Sequence, residues 1–180
     1  IFISVVGLVV ASPFMLITAL AIKMEDGGPV FYQQPRITYG GRKFNVLKFR
    51  SMRVEDGNIH RSATKNDDRI TKVGRVIRKF RIDELPQLLN VLEGHMSVVG
   101  PRPERIENVY EYSNAYPEFE LRHKVKGGIT GYAQLYGKYN TSAYDKLRLD
   151  LMYIENYSIF LDIKLIIMTL RILLSKESTE

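Results

Sequence analysis

Two adjacent carboxylates, Asp83 and Glu84, stand near the start of the run Ile82-Asp83-Glu84-Leu85-Pro86-Gln87-Leu88-Leu89-Asn90-Val91-Leu92. Leu85, Leu88, Leu89 and Leu92 recur at i, i+3, i+4 and i+7, the spacing of an amphipathic helix. Pro86 is tolerated only in a first helical turn, which places both acids at the helix N-terminus. Two readings follow. In one, Asp83 is an N-cap and Glu84 complements the helix dipole. In the other, one carboxylate attacks a phosphorus while its neighbour binds a divalent ion or handles a proton. A positive helix end would also steady a phosphoryl group held there.

Cations suited to a phosphate surround this pair in sequence. Arg69, Lys72, Arg75, Arg78, Lys79 and Arg81 form a basic stripe opposite Ile70, Val73, Val76, Ile77 and Phe80. Such a stripe is either a solvated face or a surface for anionic lipid or a nucleotide diphosphate. A nucleic-acid partner is not expected: the neighbouring membrane segment favours lipid or a phosphate ligand, and a single phenylalanine, Phe80, is no aromatic ladder for base stacking. Lys48 and Arg50 lie two apart on a predicted strand and share a face, solvated or turned to phosphate. In Val99-Gly100-Pro101-Arg102-Pro103-Glu104 the two prolines stiffen the backbone around Arg102. The guanidinium then loses less entropy on gripping a phosphate, although an exposed arginine on a rigid turn is the plainer reading.

Composition narrows the chemistry. The 180 residues carry 26 Lys+Arg against 20 Asp+Glu, a net charge of +6, and no cysteine. Thiol nucleophiles, iron–sulfur clusters and zinc fingers are therefore excluded. His60, His95 and His123 are too scattered for a local metal site, and no dinucleotide, Walker A or G-x-S-x-G motif occurs. A hydrophobic content of 45% is that of a folded chain, and the length suits a single domain.

The elements that must position these residues begin with a membrane segment. Ile1 to Ile22 contain no charge, and 22 residues at about 1.5 Å reach roughly 33 Å, enough to cross a bilayer core of about 30 Å. No small-residue cleavage site follows. Opening on Ile rather than Met, the chain is expected to lack its start. Ser12-Pro13 interrupts the segment: proline leaves the carbonyl of Val9 without a donor, and the serine hydroxyl can supply one. A kinked spanning helix and a re-entrant helix are both compatible with that. A glycine hairpin follows, with strands over Pro29–Thr38 and Lys43–Met52 and a turn at Tyr39–Arg42, Pro35 marking an edge. Val54 to Asp68 read as a mobile loop. From Tyr153 to Leu174 the chain is mostly apolar. Glu155 and Asp162 fall on one side, expected to face the protein, and Lys164 and Arg171 on the other, expected to snorkel to lipid phosphates. An ordinary core helix, or two short helices breaking near Ser158, is the plainer alternative.

Five stretches together carry a family resemblance: Phe31-Tyr32-Gln33, Lys48-Phe49-Arg50-Ser51-Met52, Asp83-Glu84-Leu85-Pro86-Gln87, Met96 to Pro103, and Gly128-Ile129-Thr130-Gly131. In this order the sequence resembles the bacterial sugar transferases, the monotopic phosphoglycosyl transferases that start surface-glycan synthesis. The resemblance implies an α+β fold, mostly helical, with a small β-hairpin, a re-entrant helix-hairpin over residues 1–22 broken at Ser12 and Pro13, and a catalytic domain over 23–180. Its C-terminal helices, from about Tyr153, would be interfacial. It implies that Asp83 attacks the β-phosphate of a UDP-sugar, releasing UMP, and that undecaprenyl phosphate then takes the sugar phosphate from the aspartate. Glu84 would bind Mg²⁺, with Asp83, or assist with proton or charge handling. Lys48, Arg78, Pro101, Arg102 and Pro103 would contact substrate, and Asp150 and Asp162 match acidic positions of the family.

The same resemblance implies the bacterial inner membrane, with the site on its cytoplasmic face. A homo-oligomer and a further N-terminal region of a longer chain stay open. The sequence departs from the family pattern at His95, where an acid is common, and at Pro35 in Gln34–Thr38. The competing function class is a non-catalytic membrane-surface module that binds anionic lipid or polyphosphate through the 69–81 stripe.

Overall fold

The structure is a computed structural model that describes residues 1–53, 67–137 and 141–174. Most of the predicted loop between Val54 and Asp68 lies outside the described residues. The chain is mostly helical with one small antiparallel hairpin. Helix α1 spans Phe2–Asp26. Strands β1 (Phe31–Ile37) and β2 (Lys43–Phe49) pair antiparallel with Phe31 opposite Phe49 and Ile37 opposite Lys43, across a 3-10 turn at Tyr39–Gly41. Then come α2 (Lys72–Lys79), a 3-10 turn at Ile82–Glu84, and α3 (Gln87–Leu92). Strands β3 (Ser97–Val99) and β4 (Gly128–Thr130) form a short parallel pair. Between them lie α4 (Ile106–Ala115) and a 3-10 segment, Pro117–Lys124. Helices α5 (Tyr132–Tyr136), α6 (Ala143–Asn156) and α7 (Ile159–Leu174) complete the described chain.

Helix α1 runs without interruption through Pro13. The expected break is absorbed within it, because Ser12 Oγ donates to the carbonyl of Val9 at 2.8 Å, the group that proline leaves without an N–H. One narrow stripe of α1, Ser4, Ala11, Thr18 and Ile22, is buried. Those positions recur at helical spacing and are mostly small, so the rest of the protein approaches closely along nearly the whole helix. Gly7 belongs to this stripe: a Cβ there would sit 3.4 Å from Leu88 of α3. Met15 and Ala19 flank the stripe and pack against Ile22, Phe49 and Ile77, and most of the remaining surface of α1 is bare. In its most apolar stretch only 17% of residues are buried, with Val9 and Val10 about two-thirds exposed. A soluble core helix would not leave such a surface in water.

Charged side chains bolt the C-terminal end of α1 to the body. Glu25 accepts from the backbone N–H groups of Lys72 and Val73, capping α2 together with Thr71, whose hydroxyl accepts from Gly74 N–H. Arg50 pairs with Asp26. Lys48 and Arg50 therefore do not act as a pair: Lys48 reaches the carboxylates described below, and Arg50 binds the end of α1. Gly74 is required where it stands, since a Cβ would fall 1.9 Å from the carbonyl oxygen of Ser51.

Helix α3 inverts the expected polarity. Its buried residues are Gln87, Asn90 and Val91, while Leu85, Leu88 and Leu89 are half-buried and Leu92 is 36% exposed. Asn90 is inside because it ties the hairpin: its Oδ1 accepts from Leu47 N–H at 2.9 Å and its Nδ2 donates to the Asn45 carbonyl at 3.1 Å. The leucine stripe thus faces away from the core, toward α1 and an open groove. On α2, likewise, Val76 and Phe80 are more than half exposed beside basic residues. The C-terminal stretch breaks at Tyr157-Ser158, where Ser158 Oγ accepts from Leu161 N–H. Asp162 faces the protein as expected, but Glu155 is exposed.

Candidate active site

Asp83 and Glu84 sit in the 3-10 turn that leads through Leu85 and Pro86 into α3. Arg81, just before it, adopts a left-handed backbone with φ 54°, a conformation that costs a non-glycine residue energy and swings the chain sharply out of α2. Asp83 is not an N-cap: the turn begins at Arg81, with no side-chain capping bond. The capping reading of this acid is therefore set aside.

The two carboxylates have opposite surroundings. Lys48 Nζ and Arg102 Nη2 both bind the same oxygen of Glu84, Oε1, at 2.7 and 2.6 Å. Burial by itself would raise the pKa of Glu84. The charges of Arg102 and Lys48, with their hydrogen bonds, overcome it and hold this carboxyl well below the usual range. Asp83 makes no hydrogen bond or ion pair among the described residues. Burial pushes its carboxyl up, and the neighbouring Glu84 adds to that, against the attraction of Lys48, Arg78 and Arg102. Arg78 Nη1 is buried near this corner without a hydrogen-bond partner. Three cations thus surround two carboxylates, with one acid and one guanidinium nitrogen still unengaged. The arrangement suits a doubly charged phosphate group.

Arg102 is held by its backbone as much as by Glu84. Each carbonyl of Pro101-Arg102-Pro103 accepts a hydrogen bond from a different element: Gly128 N–H at 2.8 Å, Arg122 Nη2 at 3.0 Å and Arg36 Nη1 at 3.1 Å. The two prolines are buried, while the Arg102 side chain as a whole remains 38% exposed. Gly128 allows the parallel strands to meet, because a Cβ would lie 2.1 Å from Gly100 N.

Lys48, Arg78 and Arg102 therefore converge on the acids, whereas Asp150 and Asp162 do not. Asp150, 1% exposed, accepts twice from Arg122, at 2.6 and 3.1 Å. It acts on the site only through Arg122 and the Arg102 carbonyl. Asp162 accepts from the hydroxyl of Tyr153 at 2.9 Å and joins α6 to α7. Sequence reasoning missed Arg122 and Arg36, since no local spacing links either one to the 101–103 loop.

Mg²⁺ was expected at Asp83 and Glu84. Among the described residues no group of three or more histidine or acidic side chains is arranged to hold a metal. The residues present still fit this ion, which commonly takes one or two carboxylates and completes its shell with water and substrate phosphate. Asp83 has oxygens to offer, and one oxygen of Glu84 is left over by its two cations.

Residues 1–176 match the family model of the bacterial sugar transferases, and the chain belongs to that family. It is 43% identical over 177 residues to the UDP-N-acetylgalactosamine-undecaprenyl-phosphate N-acetylgalactosaminephosphotransferase of Aeromonas hydrophila, covering 96% of this chain and 42% of that one. To the UDP-glucose:undecaprenyl-phosphate glucose-1-phosphate transferase of Escherichia coli (strain K12) it is 43% identical over 168 residues, 90% of this chain and 36% of that one. To the exopolysaccharide production protein PSS of Rhizobium leguminosarum bv. phaseoli it is 42% identical over 176 residues, 92% of this chain and 88% of that one. The chain thus spans less than half the length of the first two relatives and most of the third.

Proposed function

We propose that this chain transfers a sugar 1-phosphate from a UDP-sugar to undecaprenyl phosphate through a covalent aspartyl intermediate, with Asp83 as nucleophile. The observation that carries the reading is the division of labour between the two acids. Glu84 is neutralised by Lys48 and Arg102, whereas Asp83 is held without a hydrogen bond among three cations. The named activities of the relatives supply the substrate classes.

In the first step an Asp83 carboxylate oxygen forms a bond to the β-phosphorus. The bond from that phosphorus to the bridging oxygen breaks, and UMP leaves with the electron pair. A carboxylate is a weak nucleophile, so the attack depends on charge withdrawn from the phosphoryl oxygens. Arg102 and the unengaged nitrogen of Arg78 can supply it, and Lys48 keeps Glu84 from repelling the diphosphate. In the second step a phosphate oxygen of undecaprenyl phosphate attacks the same phosphorus, and the Asp83 carboxylate departs unchanged. No net proton transfer is needed in either step. Mg²⁺, when bound by Asp83, Glu84 and the donor diphosphate, supplies further charge neutralisation.

The membrane arrangement follows from exposed apolar surface. The bare face of α1, the outward leucines of α3, and Ile163, Ile167 and Leu170 of α7 are the parts suited to lipid. The buried stripe of α1 lies against the body from Ser4 to Ile22, which favours a helix that enters and stays with one leaflet over one that departs across the bilayer. A helix held in this way would keep the site at a membrane surface; the re-entrant topology, the inner membrane and its cytoplasmic face are taken from the family resemblance, since α1 itself runs unbroken through Pro13. Val76 and Phe80, exposed among basic residues, fit lipid-surface binding as an aid to the enzyme rather than as its whole function.

The test is initial-rate kinetics in nanodiscs over a panel of UDP-sugars and undecaprenyl phosphate. Parallel double-reciprocal lines and UMP release without acceptor are expected. Intersecting lines, with no UMP until acceptor is added, would replace the covalent route by direct transfer. No turnover by folded protein with any donor would return the stripe-binding module to first place.

A further inference from the structure

A groove with a cavity of about 150 Å³ runs from the catalytic turn to the C-terminal end of α7. Leu85 and Leu88 form one wall, Ile172 and Leu173 the other, with Ile129 and Leu135 between them, and Arg81 and Glu84 stand at one end. The threonines of its lining offer it little polarity. The hydroxyls of Thr130 and Thr169 bond each other at 2.6 Å, and Thr169 also reaches the Leu165 carbonyl at 2.7 Å. Gln134 Nε2 reaches the Gly100 carbonyl, which leaves Oε1 as the one buried acceptor there without a donor.

We propose that this groove seats the first isoprene units of the polyprenyl phosphate acceptor, with its phosphate at Arg81 beside the Asp83–Glu84 turn. The inference rests on the reading given under Proposed function. An apolar cavity of about this size holds a benzene molecule, so one to two five-carbon units are a fair match. Glu84, which adjoins Asp83 in the same turn, lines the groove together with Arg81, so an occupant whose phosphate lies there must carry an apolar chain bonded directly to a phosphate oxygen. A diacyl phospholipid does not meet that demand, because glycerol separates its phosphate from two chains. The groove also opens where a lipid-borne ligand arrives: Leu88 touches α1 at Gly7, and Ile167 and Leu170 of α7 are exposed nearby along the same helix. This gives the outward leucine stripe of α3 a purpose that a buried core does not.

The test uses the full chain in nanodiscs and a prenyl phosphate bearing a diazirine on the isoprene unit next to the phosphate. Photolabel is expected in the peptides containing Leu85–Leu88 and Ile172–Leu173. It should be competed by undecaprenyl phosphate and not by dioleoyl phosphatidic acid. Label confined to α1 or α2, or competed equally by phosphatidic acid, would overturn the assignment. As a second readout, Leu173→Trp should lower kcat/KM for undecaprenyl phosphate about tenfold while kcat/KM for the UDP-sugar stays put; equal effects on both would also overturn it. The two readings fail separately. Absence of UMP release by the unmodified chain would remove the catalytic proposal, whereas groove labelling reports on the acceptor site without turnover.

Discussion

Two carboxylate–arginine regions lie on either side of the Pro101-Arg102-Pro103 loop, and they differ in closure. Behind the loop, Arg122 and Asp150 are 3% and 1% exposed and satisfy each other. In front of it, Arg102 and Lys48 converge on one oxygen of Glu84, the Arg102 side chain is 38% exposed, and Asp83 has no hydrogen-bond or ion-pair partner among the described residues. The closed pair can only hold a shape. The open corner retains an acid and a guanidinium nitrogen with bonding capacity to spare, which is what a substrate needs to find. Burial of charge is common to both; what separates them is that pairing is complete in one and incomplete in the other.

Removing the open acid should abolish the chemistry of the front corner and spare the closed pair. Asp83→Asn should lower UMP release at least about a thousandfold, measured with saturating donor, because an amide cannot attack phosphorus. The same change should leave the fold intact or slightly firmer at neutral pH, read as a Tm equal to or above that of the parent. The sign follows from linkage: a raised carboxyl means the folded state prefers this group neutral, so its contribution to stability declines as pH rises through the raised value. Next, Arg102→Ala should cost about a hundredfold in kcat/KM for donor, while Arg102→Lys recovers only part of it.

The closed pair should respond in the opposite currency. Arg122→Met strands Asp150 and is expected to cost about 3–5 kcal/mol of stability, read as the urea midpoint. Arg122→Met with Asp150→Leu should restore much of the stability yet remain several-fold slower, since the Arg102 carbonyl still lacks its donor. Full recovery of rate in that double variant would mean that the closed pair does not position Arg102.

Smaller effects concern pH. The first half-reaction should fall on the acid side with a midpoint above the ordinary carboxylate value of about 3.9, because Asp83 must be ionised to attack. Stability should also decline as pH drops from about 6.5 toward 4. Burial and the adjacent Arg122 hold His123 neutral down to about 4, so the unfolded chain binds the extra proton throughout that window. His123→Gln should flatten the decline by a few degrees of Tm in a thermal scan.

Much of this was legible in the sequence because its signals are local. The hairpin carried its own glycine turn, the break near Ser158 its own cap, and Ser12 lay three residues from the carbonyl it satisfies. The acid pair and Arg102 stood out through motif and stiffness. Interactions between distant segments were not legible. Arg122 meets Asp150 across 28 residues. Lys48 and Arg50 share a predicted face, but only the fold decides that one meets Glu84 and the other Asp26. Strands β3 and β4 have three residues each, too few to show a period. The leucine period of α3 correctly implied an amphipathic helix, but which face turns inward was decided by Asn90, whose partners Leu47 and Asn45 lie in a distant segment.

In the proposed route both half-reactions pass through a sugar phosphate bonded covalently to Asp83. Intact-protein mass after mixing with a competent UDP-sugar and no acceptor, followed by peptide mapping, tests it directly. One sugar-phosphate adduct per chain, mapped to Asp83, lost on adding undecaprenyl phosphate and absent in Asp83→Asn, is the predicted result. Turnover with no adduct under any quench, or an adduct that persists in Asp83→Asn, would contradict it.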